Sequence, residues 1–435
     1  MTTDVSLLSR RRFGPLFAVQ FLGAFNDNLL KFAILFMASF GASALAPDKA
    51  AQLAVAATGV FILPYFLLSG IAGQIADTID KARLVRFVKG AEVGIMAIAL
   101  AGFWTSSFVV LFAALFLMGV HSTVFGPVKY AILPQHLDER EIMGGTGLVE
   151  AGTFVAILAG QLLAGVVPAW EAGVIATGLS VVGFCLALLV PSAPSSSVST
   201  GPIDVNPVSS TRDILRVARG GRGVWLSILG ISWFFSVGAV LLAQFAPLVA
   251  GTLGGGESAV TLFLLVFSVG VAAGSIVVNR LLQGEVSARY VPVAALSMAA
   301  GLIVLWLVSR SWSAPVASAQ EFVMRPEGLV LLSCLAVIAV AGGMFVVPLY
   351  AILQTSSASS QRARTIAANN VVNAAVTVVL VLAVMVLSSY GTTVAGVVGV
   401  LGFSTLAVAL ISCWLLPETV FKGLVRSILR VLYRV

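Results

Sequence analysis

Charged residues are scarce in this chain. Only 10% of its 435 residues are Asp, Glu, Lys or Arg, against about 25% in a typical soluble domain. At the same time 59% of the residues are hydrophobic, which is more than a soluble core can absorb. The composition therefore excludes a soluble globular protein and predicts a chain that crosses a membrane many times.

Cysteine and histidine are rare as well. The three cysteines, Cys185, Cys334 and Cys413, all lie in apolar stretches. They are interpreted as small buried side chains rather than as a disulfide or metal set. The two histidines, His121 and His136, lack the spacing of metal ligands. We therefore expect neither a metal site nor a cofactor.

Catalytic motifs are missing too. The sequence contains no Gly-x-Ser-x-Gly elbow, no His-x4-Asp acyltransferase signature and no Gly-rich phosphate-binding loop ending in Lys-Ser/Thr. These absences argue against an enzyme and against a nucleotide-driven pump. They favour a secondary transporter.

Hydrophobic runs dominate what is present, and they predict an all-α membrane protein with twelve transmembrane helices in two six-helix bundles. The first six spans are predicted at 13–42, 50–72, 84–104, 107–130, 147–168 and 170–190. The second six are predicted at 223–249, 258–279, 291–309, 328–352, 365–388 and 392–416. The predicted domains are an N-terminal bundle (1–190), a cytoplasmic linker (191–222), a C-terminal bundle (223–416) and a basic amphipathic cytoplasmic tail helix (417–435).

Lysine and arginine are distributed unevenly between the two sides of this layout. With the N-terminus inside, 19 of the 25 basic residues fall in cytoplasmic segments and only Lys49, Arg310 and Arg325 fall outside. Because positive charge accumulates on the cytoplasmic side, both termini are predicted to be cytoplasmic.

An internal repeat relates the two halves. Pro127, Tyr130 and Gln135 close the fourth span, and Pro348, Tyr350 and Gln354 close the tenth in the same order. Glu150 and Asn370 each follow twenty residues after the tyrosine of their half. Such a duplication is typical of two-halved secondary transporters, whose substrate site lies between the halves near the membrane midplane.

The first span carries polar residues in its middle. At about 100° per residue, Gln20, Asp27 and Lys31 fall on one stripe of the helix, with Asn26 and Asn28 beside it. A carboxylate at membrane depth costs at least about 2.5 kcal/mol, so such a residue faces protein or water rather than lipid. We interpret this stripe as the wall of a polar pathway.

Ionisable residues inside the predicted spans are confined to the first half. Lys89 and Glu92 are interpreted as a local structural pair, whereas Lys129 and Glu150 suit either an inner gate or a binding site. Spans seven to twelve contain no Asp, Glu, Lys or Arg. A cavity with one charged and one apolar wall suits an amphiphile with a charged head and a greasy tail. The candidate binding or gating residues are Gln20, Asn26, Asp27, Asn28, Lys31, Lys129, Tyr130, Glu150, Gln244, Asn370 and Asn373.

The segment between spans two and three resembles the loop motif of the major facilitator superfamily. Gly73 and Asp77 match the motif, Lys81 and Arg83 supply its basic end, and Asp80 replaces its second glycine. A carboxylate at this place can interact with the positive N-terminal end of a helix in the other half. Here that helix would be span eleven near Thr365, and the contact would close the cytoplasmic side.

Longer strings resemble the lysophospholipid transporter family of the same superfamily. They are QFLGAFNDNLLKFA from Gln20, GPVKYAIL from Gly126, GLVEAGTFVAILAG from Gly147 and GGMFVVPLYAILQ from Gly342. The resemblance implies a bacterial inner-membrane flippase that moves lysophosphatidylethanolamine-type lipids from the outer to the inner leaflet. It also implies that Asp27 and Lys129 are the main charged groups on the head-group path, with Glu150 accompanying them.

The resemblance further implies an acyltransferase–acyl-carrier-protein synthetase partner, fused or separate, that re-acylates the lipid. Membrane lipids are the other expected partners. The protein is expected to be a monomer and not to bind nucleic acid.

One departure from the family is that span seven offers Gln244 where an arginine is expected. The basic tail fits either a membrane-surface helix or a lead into a fused acyltransferase. Two alternatives remain, a proton-coupled exporter of small amphipathic compounds and a non-transporting membrane anchor for a fused enzyme.

Overall fold

The computed structural model describes residues 4–40, 46–195, 203–312 and 318–415. This part of the chain is helical, with twelve long helices that we number in chain order. They are α1 (Gly14–Phe40), α2 (Pro47–Thr78), α3 (Lys81–Trp104), α4 (Phe108–Ala131), α5 (Glu139–Val166), α6 (Ala169–Leu188), α7 (Arg222–Pro247), α8 (Glu257–Leu282), α9 (Val291–Arg310), α10 (Pro326–Ser356), α11 (Arg362–Ser389) and α12 (Val394–Leu415).

Length and composition allow eleven of these helices to cross a membrane. The remaining long helix, α3, carries the charged residues Lys89 and Glu92 on buried positions. The prediction of an all-α membrane protein with twelve long helices is thus confirmed. The predicted tail helix at 417–435 lies outside the described residues.

Two helices extend further than the hydrophobic pattern predicts. Helix α2 runs to Thr78, so Gly73 and Asp77 lie on its last turns, and the prediction that they belong to a loop is wrong. The chain leaves the helical path only at Ile79 and Asp80, where the Asp80 carboxylate accepts a hydrogen bond from the Arg83 N–H (2.8 Å) and starts α3. Helix ends that protrude from the membrane are polar, and hydropathy therefore does not detect them.

Helix α5 likewise begins at Glu139 rather than near residue 147. Glu141 accepts a hydrogen bond from the Asp138 N–H (3.0 Å) and so satisfies a donor just before the first turn. Its carboxylate also forms a salt bridge with Arg12 (2.7 Å). These contacts stabilise the polar start of α5, which hydropathy assigns to a loop.

The described helices form two compact units. Among the described residues, the first comprises those up to Leu229 together with Leu353–Ala375, and the second comprises those between Gly230 and Ile352 together with those from Val376 to Leu415. The end of α10 and the start of α11 therefore belong to the first unit. That segment carries Gln354, Asn370 and Asn373.

Helix α1 lies at the centre of the first unit and packs against α2, α4, α5 and α6. Its residues Leu29, Leu30 and Ile34 are at most 1% exposed and belong to one apolar cluster with α4 and α6. Because α1 has protein on several sides, a polar residue in its middle meets another helix in almost any direction. This position makes α1 the helix on which a buried polar site can be assembled.

The second unit has an aromatic core. Phe245 on α7 meets Phe263 on α8 edge to face, with ring centroids 5.6 Å apart, and Phe263 meets Phe322 in the same way at 5.5 Å. All three rings are fully buried. Edge-to-face pairs of this kind contribute about 0.5–1.5 kcal/mol each beyond the area that they bury.

The segment after α6 contains a helix, Pro207–Arg219, that docks on α2. Its residues Ser210, Ile214 and Ala218 are buried, and Ser210 lies so close to Gly70 of α2 that a Cβ at Gly70 would be 2.6 Å from the Ser210 hydroxyl oxygen. The amphipathic piece predicted in the linker is therefore a helix that is packed onto the first unit.

Candidate functional site

Asp27 lies in the middle of α1 and faces α4. The Ser122 hydroxyl donates to both carboxylate oxygens of Asp27, at 2.9 and 3.1 Å. The Asp27 side chain is half-buried. Within the described part of the chain it forms no salt bridge. It is thus a carboxylate held in place by one hydroxyl group and not neutralised by a paired cation.

Two lysines of the first unit lie against aromatic rings. Lys31 Nζ is 5.5 Å from the ring centroid of Phe32 and 6.0 Å from that of Phe61. Lys129 Nζ is 4.8 Å from the ring centroid of Tyr130. Neither ammonium group forms a salt bridge with any residue that the structure describes. Ring faces hold a cation weakly, by about 0.5–1 kcal/mol where water is near, which leaves both lysines able to bind an anion.

Glu150 is completely buried on α5. The Tyr130 hydroxyl of α4 donates to its Oε1. Its Oε2 has no hydrogen-bond partner among the described residues. One oxygen of a buried carboxylate is therefore available for a donor that the protein does not supply.

Two amide side chains of the Leu353–Ala375 segment contact α4 and α5. Gln354 Nε2 donates to the Thr146 hydroxyl of α5 (3.1 Å). Asn370 packs on α4 at Gly126, where a Cβ would come within 3.1 Å of the Asn370 Nδ2. Within the described chain, Gln354 Oε1, Asn370 Nδ2 and Asn373 Oδ1 are buried without hydrogen-bond partners. The first unit thus combines charged groups with amides whose hydrogen-bonding capacity is incompletely used.

The other polar residues of α1 face different neighbours. Gln20 contacts α5, where it accepts from the Thr153 hydroxyl (3.0 Å). Asn26 is buried and donates to Glu92 Oε1 (2.9 Å) and to the Ala176 carbonyl (3.2 Å). Asn28 donates to the Ala24 carbonyl of its own helix (2.9 Å). The polar residues of α1 therefore contact different partners, and Gln20 and Asn26 are not part of one site with Asp27 and Lys31.

Gln244 stands apart from this set. It lies on α7 in the second unit, where its side chain is half-buried. The structure therefore places the predicted site residues in two separate units, with Gln244 alone in the second.

Lys89 and Glu92 form the buried pair that their spacing predicts, with Nζ and Oε2 only 2.5 Å apart. The pair has two further partners that the spacing does not reveal. His121 Nε2 on α4 lies 3.2 Å from Glu92 Oε2, and Asn26 donates to the other oxygen. Lys89 Nζ also lies 5.0 Å from the ring centroid of Phe125. These side chains link α1, α3 and α4 in the interior of the first unit.

Asp77 at the end of α2 contacts the N-terminus of α11. Its fully buried carboxylate accepts hydrogen bonds from the backbone N–H groups of Ala363 (2.9 Å) and Arg364 (3.1 Å). The Arg364 guanidinium adds a charged contact at 3.4 Å. This carboxylate at the positive end of a helix is the arrangement that the motif predicts, two residues earlier in α11 than Thr365.

Gly73 permits this contact. A Cβ at Gly73 would lie 2.8 Å from the Ala367 Cβ and 2.9 Å from the Arg364 Cα. Any side chain would therefore push α11 away from α2. Lys81 is buried at the start of α3. The backbone N–H of Arg83 donates a hydrogen bond to the carboxylate of Asp80, the N-cap residue of α3. The four motif residues thus divide into two at the α11 contact and two at the start of α3.

Asp80 holds the segment after α6 against the start of α3. Partial burial opposes its ionisation, but hydrogen bonds from the Ser192 hydroxyl (2.6 Å) and from the N–H groups of Arg83 (2.8 Å) and Ala193 (3.0 Å) outweigh burial and lower the pKa of Asp80. Because the pKa is lower in the folded than in the unfolded chain, the carboxylate stabilises the fold above its ordinary pKa of about 4. This stabilisation is lost as the pH falls through the lowered folded pKa.

An Asp80→Asn variant is therefore expected to be less stable than the wild type at neutral pH and to lose this deficit on acidification below about pH 4. Thermal unfolding in detergent micelles, recorded from about pH 7 to about pH 3, measures the difference. Glu139→Gln, at an exposed position in the first turn of α5, is the matched control. A deficit of Asp80→Asn that stays constant over the whole pH range would contradict this role of the carboxylate.

Ser122, His121 and Gln354 are contact residues that the sequence-based site did not include. Ser122 had a detectable signal, since it precedes Lys129 by seven residues and so lies on the same face of α4, two turns away. Gln354 belongs to the repeated string at the end of α10. For His121 no signal exists in the spacing, because its contact with Glu92 depends on how α3 and α4 pack.

The sequence from residue 16 to residue 380 matches the model of the family described as the Major Facilitator Superfamily. Among curated proteins, the lysophospholipid transporter LplT of Serratia proteamaculans (strain 568) is 28% identical over 369 residues, covering 83% of this chain and 84% of that one. LplT of Escherichia coli O1:K1 / APEC is 29% identical over 359 residues, covering 81% and 82%.

Solved structures share the fold. The human organic anion transporter MFSD10 (TETRAN) superposes with a TM-score of 0.71 at 15% identity, covering 94% of this chain and 99% of that one. A bacterial homologue of the iron transporter ferroportin superposes with a TM-score of 0.69 at 16% identity, covering 94% and 99%. At these identities the comparison concerns the arrangement of helices and not the substrate.

Proposed function

Because the chain belongs to the Major Facilitator Superfamily, a family of membrane transporters rather than enzymes, we propose that it is a lysophospholipid flippase that works by alternating access. Its substrates are lysophosphatidylethanolamine-type lipids, which it moves from the outer to the inner leaflet of a bacterial inner membrane. The similarity to LplT proteins over more than four fifths of the chain supports this substrate class.

One contrast within the first unit carries the proposal. The buried charges Lys89 and Glu92 are paired at 2.5 Å, whereas Asp27, Lys31 and Lys129 form no salt bridge among the described residues. A phosphoethanolamine head group has one anionic phosphate and one cationic ammonium group. Asp27 and Glu150 would bind the ammonium group, and Lys31 or Lys129 would bind the phosphate.

The remaining features of the proposal follow the sequence pattern. Both termini are cytoplasmic, on the side where basic residues accumulate. The chain works as two six-helix halves joined by the linker at 191–222, and the contact of Asp77 with α11 closes the cytoplasmic side. An acyltransferase–acyl-carrier-protein synthetase, fused or separate, then re-acylates the delivered lipid.

The proposal is tested by the movement of labelled lysophosphatidylethanolamine between the leaflets of proteoliposomes. The wild type is expected to move the lipid, and Asp27→Asn is expected to lower the initial rate at least about tenfold. The reason is that a hydrogen bond to a charged group contributes about 1.5–3 kcal/mol, and the neutral amide cannot pair with the ammonium group.

Glu257→Gln, which neutralises an exposed carboxylate in the first turn of α8, serves as the matched control and is expected to keep the wild-type rate. Equal amounts of inserted protein must be present in each preparation. Unchanged movement by Asp27→Asn would remove Asp27 from the site, and no movement by the wild type would refute the substrate assignment.

A further inference from the structure

The helix at Pro207–Arg219, called the linker helix below, is held against α2 by one of its faces. Just before it, Gln74 of α2 and the backbone of Asp204 exchange two hydrogen bonds. Gln74 Nε2 donates to the Asp204 carbonyl (3.2 Å), and the Asp204 N–H donates to Gln74 Oε1 (3.0 Å). The buried residues of the linker helix recur every four positions and so form one face: Ser210, Ile214 and Ala218. The opposite face is therefore turned away from α2.

This opposite face is basic. At about 100° per residue, Arg212, Arg216 and Arg219 lie on the side away from the buried face, and all three are exposed. The helix has one acidic residue, Asp213, whose carboxylate lies 3.6 Å from Arg216 and 3.9 Å from Arg364 of α11. Arg212 and Arg219 form no salt bridge with any residue that the structure describes. The face thus carries an excess of positive charge.

Large apolar side chains are exposed beside these arginines. Val208, in the first turn of the linker helix, is 69% exposed, and Val205 just before the helix is 73% exposed. By the same helical angle Val208 lies on the basic side. Exposed apolar residues next to basic ones are typical of a helix that lies in the interface between a membrane and water. The face is thus both basic and apolar.

The contact with α2 fixes the level of the linker helix along the membrane. Ser210 packs at Gly70, where a Cβ would lie 2.6 Å from its hydroxyl oxygen. Gly70 belongs to the apolar run predicted at 50–72 and precedes the end of α2 at Thr78 by eight residues, or about 12 Å. One turn before Gly70, the apolar side chain of Leu67 is 42% exposed. The linker helix therefore lies where the apolar surface of α2 ends, which is the level of lipid head groups.

We propose that the linker helix binds the head groups of anionic phospholipids in the leaflet beside it, which is the cytoplasmic leaflet in the topology proposed above. The guanidinium groups of Arg212, Arg216 and Arg219 bind the lipid phosphates, because a guanidinium group matches the geometry of a phosphate. Val205 and Val208 enter the boundary between head groups and acyl chains. This surface is separate from the transport site and does not depend on which lipid is transported.

An acidic surface of a partner protein would match the charge of the same face. It would not explain why Val205 and Val208 are exposed beside the arginines, nor why the helix docks within the apolar run of α2 at Gly70. Both observations favour a lipid.

The proposal is tested by mass spectrometry of the intact protein in detergent micelles, titrated with phosphatidylglycerol or with phosphatidylcholine of the same acyl chains. Each basic residue near an anionic lipid surface contributes about a fivefold factor to binding, so two of the three arginines suffice for a tenfold preference. We expect the wild type to bind phosphatidylglycerol at least about tenfold more tightly than phosphatidylcholine. Equal affinities for the two lipids would overturn the proposal.

A triple variant locates the effect. Arg212→Gln/Arg216→Gln/Arg219→Gln is expected to lose the preference for phosphatidylglycerol. The matched control replaces three exposed arginines elsewhere in the chain and is expected to keep it: Arg11→Gln/Arg140→Gln/Arg280→Gln. A preference that survives in the first variant would overturn the lipid surface and leave the basic face to an acidic protein. Displacement of phosphatidylglycerol by glycerol 3-phosphate would overturn it in favour of a site for soluble phosphates.

Hydrogen exchange of the wild type gives a second measurement that needs no variant. In nanodiscs, replacing phosphatidylcholine by phosphatidylglycerol is expected to slow exchange in the linker helix by up to about tenfold, since bound lipid favours the docked helix. Unchanged exchange would overturn the proposal even if the triple variant failed to fold. A wild type that binds phosphatidylglycerol in this way but moves no lysophosphatidylethanolamine would refute the flippase function and leave this surface intact.

Discussion

Replacing Asp77 by asparagine is expected to speed hydrogen exchange at the backbone amides of Ala363 and Arg364 by about 30-fold. These N–H groups donate to the two carboxylate oxygens of Asp77 at 2.9 and 3.1 Å. An asparagine has one acceptor oxygen and turns an NH2 group toward the second amide. The variant loses the negative charge at a helix N-terminus and one hydrogen bond to a charged acceptor, which together contribute about 2 kcal/mol. This free energy corresponds to an increase of about 30-fold in the exchange rate.

Exchange measured by mass spectrometry on peptides covering the start of α11 provides the readout. Asp80→Asn is the matched control, because Asp80 lies three residues further along and bonds to Arg83, Ser192 and Ala193 rather than to α11. It is expected to leave exchange at the start of α11 unchanged. Equal exchange in both variants would show that Asp77 does not hold α11.

Gly73→Ala provides an independent approach to the same contact. It leaves Asp77 intact but places a Cβ within 2.8 Å of the Ala367 Cβ and 2.9 Å of the Arg364 Cα, distances at which the backbone must shift. We expect faster exchange at the start of α11 here too. In the proposed transport cycle both variants weaken the state in which α11 is held by α2, and the cytoplasmic side would open more often.

The sequence was sufficient for the number of helices because eleven of the twelve long helices are long apolar runs. It was sufficient for the Asp77 contact because a short motif marks that residue. It was insufficient for the ends of α2 and α5. There, capping and salt bridges, such as that of Arg12 with Glu141, continue a helix through polar residues. Hydropathy measures the fit to a membrane and not where a helix stops.

The candidate site shows the same division. The helical angle places Gln20, Asp27 and Lys31 on one stripe, but α1 is surrounded by four helices, and the partner of each residue depends on which helix it meets. Gln20 contacts α5, Asp27 contacts α4 and Asn26 contacts α3. These choices depend on the packing of non-adjacent helices, which periodicity within one helix does not determine.

The largest loss of stability is expected from Glu92→Gln. Lys89 Nζ is fully buried 2.5 Å from Glu92 Oε2, so the substitution leaves an ammonium group in the interior without its counter-charge. Removing one partner of a buried ion pair typically lowers the free energy of unfolding by about 3–5 kcal/mol. Thermal or chemical unfolding of the purified protein in detergent is the appropriate measurement. Glu285→Gln is the control, since it breaks the exposed Arg289–Glu285 pair (3.4 Å) and is expected to cost less than about 1 kcal/mol.

The double variant Lys89→Met/Glu92→Gln separates the unpaired charge from the loss of the glutamate itself. It removes both charges, and the new amide oxygen still accepts from Asn26, which donates to Glu92 Oε1 at 2.9 Å in the wild type. Because a buried pair replaced as a whole costs little, the double variant is expected to recover most of the lost stability. If the double variant were as unstable as Glu92→Gln, the hydrogen bonds of Glu92 to α1 and α4 would be the dominant contribution. If Glu92→Gln unfolded like the Glu285→Gln control, Lys89 would have to lose its proton or reach water in the variant, and the pair would not hold α3 in place.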